Sequence, residues 1–104
     1  MKEMMNQIER IQRMEQNLDT VSEAVQRLSN ALDAYTTVRP QLQELIDYYE
    51  SSQWLADYDA DCAGLISADL KRGVLSQDAV YDLLAEHDRL LSVMRTLTAE
   101  NEEI

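Results

Sequence analysis

One cysteine and one histidine, Cys62 and His87, are the residues from which a nucleophile and its base could be assembled. Neither sits in a setting that supports the chemistry. Cys62 falls on the apolar phase of a helical pattern, where a free cysteine serves as a small hydrophobe. His87 lies on another apolar stripe, between Leu84 and Leu90, where a packed, hydrogen-bonded imidazole is the expected outcome. No catalytic residue is assigned. A zinc site would need carboxylates to complete a set with one His and one Cys, so no metal ligand is assigned either. Gly64 and Gly73 are isolated, so no glycine-rich loop exists to cradle a phosphate, and no cofactor is expected.

The run Asp57-Tyr58-Asp59-Ala60-Asp61 invites a calcium reading. An EF-hand loop needs carboxylates at alternate positions, Gly at the sixth and a bidentate Glu at the twelfth. Counting from Asp57 puts Cys62 and Ala68 at the last two; counting from Asp59 gives Gly64 but puts Ala63 and Leu70 where ligands are required. On a helix, Asp57 and Asp61 share a face and Asp59 points elsewhere. Trp54 and Tyr58 lie one turn apart on the same segment. Trp54, Asp57, Tyr58 and Asp61 therefore form a candidate interaction face of aromatic and acidic groups. Trp54 and Tyr58 could instead cover the end of a core. Lys71 and Arg72 could bind an anion beside the next helix start, or pair with Asp69 or Asp78.

The charge is unevenly distributed. The whole chain carries -11. Residues 1–39 hold 6 acids and 5 bases, residues 40–70 hold 7 acids and no base, and residues 71–104 hold 7 acids and 4 bases. The deficit is thus concentrated in the middle third. A phosphate backbone or an anionic membrane surface would be repelled, so neither nucleic acid nor membrane is an expected partner. A protein with a basic surface is, the alternative being that the acidic stretch is a solvated helix face that keeps the chain soluble. A lone cysteine cannot form an internal disulfide, residues 1–6 lack the apolar stretch of a signal peptide, and no apolar run spans a bilayer. These features predict a cytoplasmic protein.

The elements that must position these groups read as helices. Gly is 2 and Pro is 1 in 104 residues, too few for a turn-rich fold. Ile11, Met14, Leu18, Val21, Val25, Leu28, Leu32 and Tyr35 fall at alternating steps of three and four, a heptad seam on a long helix spanning about residues 3–35. Met4 and Ile8 extend it after a slip. Thr37 as N-cap and Pro40 in a first turn predict a break near 36 and 37. Leu42, Leu45, Tyr49, Leu55, Tyr58 and Cys62 then carry a second helix over 38–62, stopped by Gly64. Ser76 is the expected N-cap of a third helix over 76–100, with Leu75 and Val80 placed to form a hydrophobic staple. Its stripe is Val80, Leu83, Leu84, His87, Leu90, Leu91, Met94 and Leu97, and its tail from Glu100 is expected to fray. The fold class expected is all-α, a single domain over 1–104, an up-down-up three-helix bundle with a long N-terminal helix.

Residues 70–84, Leu-Lys-Arg-Gly-Val-Leu-Ser-Gln-Asp-Ala-Val-Tyr-Asp-Leu-Leu, together with Tyr48-Tyr49, Trp54, Ile8-Glu9-Arg10-Ile11 and Met14-Glu15, resemble the pattern of a family of small bacterial proteins classed as a domain of unknown function. The resemblance covers most of the chain and implies a bacterial source and a compact helical fold. It implies no activity, ligand or site. Taken with the residues, the expected role is a non-catalytic helical interaction module, docking a basic protein on its acidic face or self-associating through its first helix. The alternatives are a divalent-cation protein using the carboxylates from Asp57 to Asp69, and a small enzyme with a pocket between helices.

Overall fold

The computed structural model describes residues 2–102, with side chains from 6 to 101. It is all-α: helix α1 spans Lys2–Tyr49, α2 spans Ser52–Cys62 and α3 spans Ala79–Glu102, with a short 3-10 turn at Gly73–Leu75 between the last two. Among the described residues there is no strand. The chain divides into two compact units, Met1–Gln43 and Glu44–Ile104. The first is the body of α1. The second holds the last turns of α1, then α2, the 3-10 turn and α3.

The long N-terminal helix is present but longer than its heptad pattern suggests. The break expected at residues 36 and 37 does not occur, and Pro40 lies inside α1. Thr37 does not cap a new helix; its hydroxyl donates to the Asp33 carbonyl one turn back, at 2.9 Å. A helix interior proline gives up one backbone hydrogen bond and costs about 3 kcal/mol. The helix bears that cost because nothing nearby supplies a stop: no Gly or Asn follows Tyr35 to take up a C-terminal cap. The apolar register also runs through, since Leu42, Ile46 and Tyr49 continue the steps set by Ile11 to Tyr35, with Arg39 alone interrupting.

The true break is at Glu50 and Ser51. Ser51 takes an extended backbone and its hydroxyl oxygen accepts from the Trp54 amide at 3.3 Å, capping α2. The same hydroxyl donates to the Tyr48 carbonyl at 2.6 Å, satisfying a terminal carbonyl of α1. At its other end α2 closes as expected at Gly64. The Gly64 amide donates to Asp61 and the Leu65 amide to Ala60, each at 3.0 Å, a Schellman closure. Gly64 sits at φ +74°, where a side chain would strain the backbone.

Helix α3 starts at Ala79, three residues after the expected start at 76. Ser76 is extended and closes the 3-10 turn, and its hydroxyl accepts from the Asp78 amide at 3.3 Å in the turn that leads into α3, so it does not cap the helix itself. Leu75 and Val80, the residues expected to form the staple, are the two buried apolar residues among those described, at 7% and 4% exposure. The rest of the α3 stripe is less buried than expected. Leu84, His87 and Leu91 are half-buried, whereas Leu83, Leu90, Met94 and Leu97 are exposed. The tail stays helical through Glu102 rather than fraying from Glu100, and residues 103 and 104 lie outside the described set. Cys62 is exposed, not packed: it is the last residue of the eleven-residue helix α2.

Candidate functional site

The residues singled out on α2 come together, and each is engaged within the chain. Because α2 runs unbroken from Ser52 to Cys62, Asp57 and Asp61 share one side of it, and the opening positions of the loop an EF-hand requires are helical. Asp57 accepts a 2.6 Å hydrogen bond from the Tyr48 hydroxyl, and Asp61 is paired with the guanidinium of Arg72. Trp54 is half-buried, and its indole N–H donates to the Val74 carbonyl at 2.9 Å. Its ring meets Tyr49 edge-on and stacks on Tyr58, both at 5.2 Å between centroids. Such arrangements match the quadrupoles of the rings.

These contacts form a clasp. Trp54 and Asp61 on α2 hold Val74 and Arg72, the residues that flank and enter the 3-10 turn ending at the buried Leu75. Of the two fates open to Lys71 and Arg72, Arg72 pairs with a carboxylate, and the partner is Asp61 rather than Asp69 or Asp78. The residues of the clasp stand out in the sequence, but their role of holding a turn 20 positions away does not.

The clasp has a titratable signature. The hydrogen bond to Asp57 pushes the Tyr48 phenol above its usual 10.0, and burial and the Asp57 charge act in the same direction. Tyr58 is also raised, chiefly by its hydrogen bond with the Cys62 side chain. A phenol raised in the folded state stabilises the fold below its unfolded pKa, and that stabilisation is lost as pH rises through the higher folded value. Absorbance titration at alkaline pH is therefore expected to show tyrosines ionising late. Asp57→Asn should bring one of them back towards the ordinary value, and an unchanged titration curve would remove the Tyr48–Asp57 bond from the account.

His87 and Cys62 each have a neighbour on their own helix. His87 is half-buried, with its Nδ1 3.6 Å from the neighbouring Asp88 carboxylate, and Cys62 interacts with Tyr58. No group of three or more metal-ligating side chains converges among the described residues. A shallow groove on α3 is lined by Arg89, Ser92, Val93, Thr96 and Leu97, side chains of one helix, and His87 does not line it. In the same helix Arg89 grips Glu86 through two bonds of 2.8 and 2.7 Å, which holds the Glu86 carboxyl below its usual range.

The largest feature is one that the sequence pattern marks as a core and the structure leaves open. Ile11, Met14, Leu18, Val21, Val25, Leu28 and Leu32 are 41% to 58% exposed, a continuous apolar strip along α1. Scattered exposed hydrophobes are ordinary; a contiguous line of them marks a binding surface. No helix among the described residues is long and apolar enough to cross a membrane.

Helix-rich architecture, a clasped turn and an open seam define the class as an all-α helical protein. Residues 11–97 match the family described as a domain of unknown function, DUF4298, and the chain belongs to that family. The match includes the clasp and the seam, while Ile8, Glu9 and Arg10 precede it. No curated protein and no solved structure matches the chain.

Proposed function

We propose that this protein is a helical interaction module that acts by binding rather than by catalysis, in the cytoplasm and away from nucleic acid and membrane. The observation that carries the reading is the open seam of α1. Seven apolar side chains in heptad register, each at least 41% exposed, are costly to leave in water and gain most from a helical partner. The acidic middle third gives the module a second surface. Asp57 and Asp61 are occupied in the clasp, and Glu44, Glu50, Asp59 and Asp69 remain exposed for a basic partner. Binding through those carboxylates would weaken with salt.

Photocrosslinking in cells tests the module reading. A photoreactive residue at Val25, on the seam, is expected to yield covalent adducts, and one at Glu23, on the opposite side, is expected to yield few. Glu23 is already engaged by Arg27 at 2.6 Å. No adduct from Val25 would overturn the proposal.

A further inference from the structure

We propose that the partner of the seam is a second copy of the same chain, lying parallel and in register along α1 from Ile11 to Tyr35. This rests on the interaction-module reading and names its partner.

Four observations converge on it. The first is the seam itself. With Ile11 as position a, the a residues are Ile11, Leu18, Val25 and Leu32 and the d residues Met14, Val21, Leu28 and Tyr35, none charged. Repeats of this length are what a coiled coil needs. The second is where the charges lie. Arg13, Asp19, Glu23, Arg27 and Asp33 all fall on the outer positions b, c and f, and Arg27 and Glu23 neutralise each other within the helix.

The third is the composition of the flanks, which fixes direction. The g positions are Arg10, Asn17, Ala24 and Ala31; the e positions are Glu15, Ser22, Ser29 and Thr36. Only one residue of each set is charged, and the signs are opposite. In a parallel pair each g residue faces the e residue five positions on in the other chain, so Arg10 meets Glu15 twice. In an antiparallel pair g faces g and e faces e, and Arg10 and Glu15 would each meet a neutral side chain. Among the described residues neither has an ion-pair partner within its own chain.

The fourth is repulsion. Residues 1–39 carry a net charge of -1, from 6 acids and 5 bases, out of -11 for the chain. The part of α1 up to Arg39 is thus the stretch of the chain that a second copy can approach at least electrostatic cost. The pairing ends where the sequence changes. Arg39 would meet its own copy at an a position, and Pro40 follows it.

The test uses the full chain with Cys62→Ser as background, so that the exposed native thiol does not react. Sedimentation equilibrium is expected to give twice the chain mass. Ile11→Cys is expected to form an intermolecular disulfide on mild oxidation, because parallel register places the two cysteines side by side. Arg10→Glu should weaken the dimer about 5- to 30-fold, because the new carboxylate is set against Glu15 of the other copy twice, and adding Glu15→Arg should restore it. Circular dichroism on each variant confirms that helix content is retained. A strict monomer at high concentration overturns the proposal, as does a seam crosslink at Val25 joined to a different protein; that second outcome leaves the module reading standing. A dimer in which Ile11→Cys joins only to Tyr35→Cys of the other chain is antiparallel and also overturns it.

Discussion

Leu75→Ala is expected to unfold the clasped half of the molecule under conditions where the parent chain is folded. Leu75 and Val80 are the two buried apolar residues among those described. A buried Leu→Ala change costs about 2 to 5 kcal/mol, because the transfer free energy of the lost methyls is joined by a cavity that the surroundings only partly fill. Total stabilities of small domains lie at about 5 to 15 kcal/mol, so one such change removes a large share. Trp54 fluorescence reports it directly, since the indole is bonded to Val74, the residue before Leu75. With a urea slope of about 1.5 kcal/mol/M, the midpoint should fall by about 2 M. Leu65→Ala is the control: Leu65 is 78% exposed, and its loss should change stability by about 0.5 kcal/mol or less. Equal effects at the two leucines would mean that the staple is not what holds this half together.

Trp54 is the second place where a large loss is expected, and two substitutions there separate its two roles. Trp54→Phe keeps an aromatic ring for Tyr49 and Tyr58 but removes the donor to the Val74 carbonyl. That should cost about 1 kcal/mol, the net worth of a hydrogen bond partly shielded from water. Trp54→Ala removes the stack as well and should cost about 3 kcal/mol, the low end of the range for a core Trp because this one is only half-buried. Chemical denaturation followed by circular dichroism measures both. If the Phe variant is as unstable as the Ala variant, the hydrogen bond and not the aromatic ladder anchors the turn at Gly73–Leu75.

What is legible in the sequence is local. Gly64 reads as a stop because it works through bonds to residues within a few positions, and the turn at Ser76 is local in the same way, although α3 begins three residues later than the cap pattern suggests. The break between α1 and α2 lies far from where Thr37 and Pro40 point, because these are good start signals only in isolation. The register that continues through Leu42, Ile46 and Tyr49 is the contrary sign, and it outweighs them. Ser51 is inconspicuous as a cap because no Glu or Gln stands three residues on to make a capping box; Trp54 does. The clasp depends on contacts across 11 and 20 positions, Asp61 to Arg72 and Trp54 to Val74, for which no periodicity gives a signal. The seam is visible as a pattern, but a pattern of burial does not say whether its cover comes from the same chain.

The spacing of that seam carries a geometric consequence. A straight α-helix turns 3.6 residues at a time, whereas Ile11 to Tyr35 repeats every 3.5 on average. The mismatch drifts by about 20° per heptad, so over this stretch the apolar line rotates by about 70° around the axis of α1. A straight, rigid rod laid alongside could touch the line at one end or the other but not along its length. Any helix that covers the whole of it must wind around α1 with a left-handed twist, and α1 must yield by the same amount.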